Sequence, residues 1–502
     1  MKNYFLEKIN KLNIPKGIKE YIALSSSNFS IHIVRLFTGM YNAKILTPVL
    51  YATNSYISVI CRYCLYSNIG AQSGLNRQIP IERGKNNVDE IEIFVNSTFW
   101  FITLMNTILF LITITFLVFN IKISSLLSSD FYLIAFLLIS AQYYYQFFYS
   151  LLVVNSHFIY IAKTKIKYDF VGALLSVVAV YFFKLHGLLI LQILILATQI
   201  FVFRHFLKFK PSLRVSISHL KFLIITGFPI LLSSVFVLLL STMDFLFVTQ
   251  IFPKKVVGLY GFALTGVAFL STYINSFSDI LAPKIGNKFG ENAERYSSLQ
   301  DYSFKYTVIF IPILAILSIL FIHPLTVVIK IFLKDYFPSV HILKYLVAAA
   351  FVNSVLIPCG HIITTIKRQR FYITMTIVAI CFEFIALKYL INSNSSAESV
   401  SQIVLCVSII LTSSILVITN YLISDEKSIL FKNLIKLFGI FFLTLAVLIA
   451  DIAITNPFIS NLAYSCFEIS KLIVFTLLLG AILYKSDNEV MQKVKSIALK
   501  HI

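Results

Sequence analysis

Runs of about 20 apolar residues recur along the whole chain and are separated by short polar stretches. Because an α-helix rises about 1.5 Å per residue, a run of this length crosses a hydrocarbon core about 30 Å thick. In lipid, each backbone N–H and C=O needs a partner within the protein, and a helix supplies these partners inside its own segment. The pattern therefore predicts an all-α, polytopic membrane protein.

The apolar runs predict about fourteen membrane spans. Their centres lie near residues 32, 57, 107, 142, 176, 197, 236, 270, 318, 351, 381, 412, 444 and 473. Composition agrees, since 58% of the residues are hydrophobic and only 13% are charged, against roughly 25% charged in an average soluble domain. A soluble globule could not bury so much apolar side chain.

The 42 lysines and arginines fall mainly in alternate loops. When the spans are counted in order, 30 of these cations lie on the side of both termini and seven lie on the opposite side. Lys and Arg concentrate in cytoplasmic loops of membrane proteins, so both termini are predicted to be cytoplasmic. Membrane orientation and attraction to anionic headgroups then account for the formal charge of +20, and we expect no nucleic-acid partner.

The segments outside the predicted spans leave little room for chemistry. No loop on the predicted outer side exceeds about a dozen residues, whereas a membrane-embedded polymerase or ligase of glycans usually needs a sizeable outer loop. No inner loop contains a Walker-type GxxxxGK[ST] sequence, and the six cysteines do not form the paired pattern of a disulfide scaffold. We therefore expect a protein that is not an enzyme, with no catalytic residues, no cofactor and no metal site.

The spans divide into groups of six, six and two. This division predicts an N-terminal six-helix lobe over residues 1–208, a C-terminal six-helix lobe over residues 209–424, and two further helices with a cytoplasmic tail over residues 425–502. A weak internal repeat supports the division, because residues 43–59 and 248–264 each contain an apolar residue, a proline and a tyrosine that opens the next helix. Parallel repeats are typical of transporters.

Short motifs in both predicted lobes carry a family resemblance. AKILTP followed by Tyr-Ala is similar to an Ala-Arg-x-Leu-Gly-Pro signature followed by Tyr-Gly, with Thr47 and Ala52 in the places of the usual glycines. The matching stretches are residues 43–48, 51–52, 74–77, 84–85, 227–229, 243–244, 258–264 and 281–290. By these motifs the chain resembles the Wzx-type O-antigen flippases of the multidrug/oligosaccharidyl-lipid/polysaccharide exporter (MOP) superfamily, which have a MATE-like fold.

The resemblance implies a flippase of the bacterial inner membrane. It would carry an undecaprenyl-pyrophosphate-linked oligosaccharide to the periplasmic leaflet by alternating access, in contact with membrane lipids and with the polysaccharide polymerase and other assembly proteins. Three alternatives stay open. They are a multidrug or peptidoglycan-precursor exporter of the same superfamily, a membrane-embedded polysaccharide polymerase or ligase, and a noncatalytic assembly factor.

Charged residues inside predicted spans are candidates for a binding site, because each costs on the order of 2.5–3.5 kcal/mol to insert. Arg35 lies in the first span with His32 one turn before it, and Arg62 lies in the second. An arginine fork matches the geometry of a pyrophosphate, so we expect these three residues to bind the substrate. The other interpretation is that the arginines pair with acidic residues or extend toward an interface.

Other polar residues inside the spans allow two interpretations each. Glu383 and Asp244 are candidates for coupling transport to a proton or cation, although Asp244 could instead be a structural partner to a cation or to a helix end. Glu468 and Lys471 stand three residues apart and are predicted to neutralise each other. The run from Gln142 to Gln146 contains three tyrosines and would either face sugars in a lumen or pack in the bundle core.

Overall fold

The computed structural model describes residues 16–122, 124–291, 299–366, 368–392, 395–424, 427–458 and 460–486. The predictions about the orientation of the two termini concern residues outside these ranges. Within them the protein is helical. The helices are α1 (Lys16–Cys64), α2 (Ala71–Gly84), α3 (Val88–Val118), α4 (Asp130–Val154), α5 (Phe158–Phe206), α6 (Ile217–Leu240), α7 (Met243–Ile251), α8 (Lys254–Glu291), α9 (Gln300–Phe332), α10 (Ser339–Ser354), α11 (Leu356–Thr365), α12 (Gln369–Leu390), α13 (Ala397–Ile423), α14 (Lys427–Ala453) and α15 (Asn461–Ser486).

Ten helical stretches of the described chain are long and apolar enough to cross a membrane, judged by length and composition. The four remaining predicted spans correspond to the two halves of α1, the second half of α5, and α8. The fourteen predicted spans are thereby matched one to one. The predicted all-α polytopic fold is therefore confirmed.

Two helices of 49 residues each contain a break where the sequence predicts a turn between spans. The break in α1 is at Thr47, with φ 60° and ψ 159°, and Pro48 follows it. The break in α5 is at Lys184, with φ 48° and ψ −131°. A straight helix of that length would be about 74 Å long, more than twice the hydrocarbon thickness, so each break divides its helix into two limbs. Positive φ also explains why a glycine would suit the position of Thr47.

The chain divides into two compact units, Met1–Val235 and Phe236–Ile502. In the first unit α1 packs mainly against α5, and α4 also packs against α5. In the second, α10 packs against α8 and α13, while α14 and α15 pack against α9. The three-part division into residues 1–208, 209–424 and 425–502 stays a prediction.

Glycine allows the backbones of α2 and α6 to touch within the first unit. A Cβ atom on Gly74 would lie 2.1 Å from the carbonyl oxygen of Leu223, and one on Gly227 would lie 2.0 Å from the carbonyl oxygen of Gly70. Any larger side chain at these two positions would collide with backbone. Gly74 and Gly227 belong to the motifs that carry the family resemblance, and they have a packing role.

A buried network of charged side chains joins α14 and α15 to α9. His323 Nδ1 is 2.7 Å from Glu468 Oε2, and His323 Nε2 is 3.3 Å from Asp451 Oδ1. Lys471 Nζ is 2.8 Å from Asp451 Oδ1, and the Asn456 amide donates to Glu468 Oε1 over 3.1 Å. The prediction that Glu468 and Lys471 neutralise each other is wrong, because each forms its ion pair with a residue of another helix.

Candidate functional site

The first unit contains a cavity of about 400 Å³ between α1, α4 and α5. The first limb of α1 and both limbs of α5 present one face each, with lining residues three or four positions apart as on one side of a helix. The second limb of α1 and α4 complete the wall. The polar lining residues are Arg35, Thr38, Asn42, Asn54, Gln142, Asp169, Ser176 and Gln192, and Tyr51 adds an aromatic ring.

Arg35 and Asp169 give this cavity a charged end. Arg35 Nη2 lies 3.6 Å from Asp169 Oδ1, and the side chain of Arg35 is 51% exposed whereas that of Asp169 is 10% exposed. The amide of Gln199 donates a hydrogen bond of 2.7 Å to the same oxygen of Asp169. The carboxylate is therefore held by two groups, whereas Asp169 is the one ion-pair partner of Arg35 among the described residues and meets only one nitrogen of its guanidinium within 4 Å.

The other predicted substrate-binding residues lie in different places. His32 lies within electrostatic range of Arg35, as does Lys165 on α5. Arg62 has an exposed side chain at the end of α1 and does not line the cavity. The structure therefore places Lys165 and Asp169 beside Arg35, and it does not bring Arg62 to them.

Sequence reasoning did not identify Lys165 and Asp169 as neighbours of Arg35. Both lie in α5, which begins at Phe158, so residues counted as an inner loop belong to the start of a membrane helix. Their spacing of four residues on one helix face was the available signal. The sequence left two interpretations open for the run from Gln142 to Gln146, a lumen face or core packing. In the structure Tyr143 is 1% exposed and packs in the core, whereas Gln142 lines the cavity.

The second unit contains its own cavity, of about 460 Å³, lined by both predicted coupling residues. Asp244 lies in the first turn of α7, where the helix dipole favours a negative charge, and the Tyr260 hydroxyl donates to its Oδ2 over 2.6 Å. Glu383 lies in α12 and is 1% exposed. α6 ends at Leu240 and α7 begins at Met243, so the helical conformation is interrupted just before Asp244.

The two carboxyl groups leave acceptor atoms unused. Asp244 Oδ1 and Glu383 Oε1 are buried and have no hydrogen-bond partner among the described residues. Among the residues that the structure describes, no lysine or arginine lines this cavity. Because two buried carboxyl groups share one site without a cation, a proton or a small cation between them would be stabilised. The described residues contain no group of three or more His, Cys, Asp or Glu placed to hold a metal ion.

Several solved structures of transporters are similar to this one. The lipid II flippase MurJ in an inward closed conformation is 17% identical, with a TM-score of 0.64 over 92% of this chain and 99% of that chain. The Vibrio cholerae MATE transporter VcmN is 12% identical, with a TM-score of 0.55 over 82% of this chain and 97% of that chain. A multidrug resistance MATE family transporter of the MOP superfamily, in an inward-facing conformation, is 13% identical, with a TM-score of 0.53 over 76% of this chain and 92% of that chain.

No protein-family model and no curated protein matches the chain. The structural similarities establish the MATE-like fold that the sequence predicts.

Proposed function

We propose that this chain is a flippase that carries an undecaprenyl-pyrophosphate-linked oligosaccharide, such as an O-antigen repeat unit, across the bacterial inner membrane. The observation that carries the proposal is the cavity of the first unit, in which a half-exposed arginine stands at one end of a wall rich in hydroxyl and amide groups. A lipid-linked oligosaccharide has the matching parts, an anionic diphosphate and a polar glycan. Alternating access would move both without covalent chemistry.

Arg35 is suited to hold the diphosphate. Its one ion-pair partner in the described chain is Asp169 at 3.6 Å, a distance longer than that of a charge-assisted hydrogen bond, so its donors are available to phosphate oxygens. Lys165 and His32 lie within electrostatic range and add positive charge when protonated. A cationic, open cavity would lower the cost of removing the headgroup from water, while the polyprenyl chain stays in lipid.

Asp244 and Glu383 are suited to couple transport to an ion. Their cavity lies at the interruption between α6 and α7, so uptake of a proton or cation there would change the charge at a junction between helices. An ion that binds one conformation more tightly than the other shifts the balance between them.

The similarity to MurJ supports a lipid-carrying function. It covers 92% of the chain, which leaves about 40 residues unmatched. Because residues 425–502 number 78, the similarity extends into the predicted C-terminal helix pair. It also makes lipid II the alternative substrate to be tested beside other lipid-linked oligosaccharides.

The test is translocation of a fluorescent undecaprenyl-pyrophosphate oligosaccharide between leaflets of liposomes. We expect Arg35→Gln to abolish protein-dependent translocation and Arg62→Gln, checked for correct insertion, to retain most of it. Loss in both variants would restore the predicted pair of arginines. Retention in both would remove the diphosphate site from this cavity, and absence of translocation with the folded wild-type protein would refute the flippase proposal.

A second candidate function is export of organic cations, and the acidic cavity of the second unit favours it. Asp244 and Glu383 line that cavity, and no lysine or arginine stands among its described lining residues, which is the charge pattern that attracts a cationic drug. Ethidium transport into proteoliposomes distinguishes the two functions. Ethidium uptake that depends on Glu383, in a protein that does not move the lipid probe, would favour drug export over the flippase.

A further inference from the structure

We infer that the amide side chains of the first-unit cavity form a subsite for an uncharged, hydroxyl-bearing sugar of the lipid-linked substrate. The amide wall consists of Asn42, Asn54, Gln142 and Gln192. The inference rests on the proposed function and adds to it the part of the substrate that this wall recognises.

The four amides converge from four different helical segments. Asn42 and Asn54 lie on the two limbs of α1, Gln142 lies on α4, and Gln192 lies on the second limb of α5. Asn42 stands seven residues after Arg35, which is two helical turns and about 10 Å along the axis. The amide wall is therefore separate from the charged end but belongs to the same cavity.

Most of the hydrogen-bonding capacity of this wall is unused. Asn42 is 6% exposed, and its amide nitrogen donates to Ser176 Oγ over 2.8 Å, but its carbonyl oxygen has no partner among the described residues. Within the same described ranges, the side chains of Asn54, Gln142 and Gln192 make no hydrogen bond. A ligand that enters the cavity can therefore form hydrogen bonds with amide groups that no described side chain already occupies.

The chemistry of the wall favours a neutral sugar over a charged one. Each amide offers donors and an acceptor, and a sugar hydroxyl likewise donates and accepts, so the two match without a net charge. Apart from Arg35 and Asp169, the described lining residues of this cavity carry no formal charge. The ring of Tyr51 adds an apolar face against which a sugar ring can pack.

The test compares the binding of two defined lipids to the purified full-length protein in nanodiscs. One lipid is undecaprenyl pyrophosphate, and the other is undecaprenyl pyrophosphate that carries one N-acetylglucosamine. Gln142→Leu removes an amide from the wall. Gln146→Leu is the matched control, because Gln146 lies one turn further along α4, has an exposed side chain and does not line the cavity.

We expect Gln142→Leu to weaken binding of the sugar-bearing lipid about tenfold, with binding of the bare lipid and both affinities of Gln146→Leu unchanged. Equal weakening for both lipids, or equal wild-type affinity for both, would overturn the sugar subsite while leaving the diphosphate site and the flippase proposal in place. Failure of the wild-type protein to bind either lipid would overturn the proposed function and this inference with it.

Discussion

The buried charge network of the second unit predicts a specific loss of stability when its histidine is removed. His323 is 1% exposed and lies between the carboxylates of Glu468 and Asp451. In His323→Phe, Asp451 keeps its ion pair with Lys471, in which Lys471 Nζ lies 2.8 Å from Asp451 Oδ1. Glu468 keeps the neutral amide of Asn456 at 3.1 Å and the longer-range attraction of Lys344, but no ion pair within 4 Å among the described residues. One buried carboxylate is therefore left without its ion-pair partner.

The size of the expected loss of stability follows from this one unpaired carboxylate. Removing one partner of a buried ion pair destabilises a protein by about 3–5 kcal/mol, whereas replacing both partners by apolar side chains is often neutral. For a unit of this size we expect the unfolding temperature of His323→Phe to fall by on the order of 10 °C. His323→Phe combined with Glu468→Met should recover most of the loss, because the unpaired charge is then absent.

The assay is heat treatment in detergent micelles followed by size-exclusion chromatography of the surviving folded protein. Glu468→Met alone completes a double-mutant cycle, which isolates the energy of the His323–Glu468 pair. If the double variant is no more stable than His323→Phe, the loss comes from packing around the ring and the electrostatic reasoning is refuted. An unchanged unfolding temperature in the single variant would refute it as well.

Three further predictions concern single positions. Thr47→Gly should stabilise the protein by about 1 kcal/mol, since glycine adopts φ 60° without the strain of a β-branched residue; a lower unfolding temperature would contradict this. Gly74→Ala should destabilise it by about 1–3 kcal/mol. Gly439→Ala should be neutral or slightly stabilising, because among the described residues no atom beyond the neighbouring backbone of its own helix lies within 4 Å of the added Cβ. Equal losses in heat survival would exclude the contact of α2 with α6 as the cause. A maleimide should label exposed Cys466, which lies near the start of α15, in the folded protein and label buried Cys359 only after unfolding, as read by peptide mass spectrometry; equal labelling of both thiols in the folded protein would contradict this.

Much of the fold could be predicted from the sequence because the membrane imposes a length on each helix. Each of the fourteen predicted centres falls within a helix, and the breaks at Thr47 and Lys184 fall between predicted spans. These features depend on local composition, which the sequence states directly. The family resemblance added the expected MATE-like arrangement, which hydropathy alone cannot provide.

The partners of individual charges could not be predicted, because they depend on which helices are neighbours. Arg35 pairs with Asp169, 134 positions later in the chain. Glu468 and Lys471 share a helix at favourable spacing, yet their side chains form ion pairs with His323 and Asp451 on other helices. Helical spacing shows which residues share a face, and packing decides what that face meets.

The pairing of each intramembrane charge separates structural from functional roles. The network around His323 has side chains at most 5% exposed and contacts of 2.7–3.3 Å, so its charges are compensated by one another and serve the fold. Arg35 is 51% exposed to a cavity and has a carboxylate at 3.6 Å, so the fold gains little from its charge. Substitution of Arg35 should therefore reduce transport while stability stays nearly constant, and substitution of His323 should reduce stability first. Transport and stability, both measured on the Arg35 and His323 variants, test whether close pairing with an opposite charge distinguishes a structural charge from one that binds substrate.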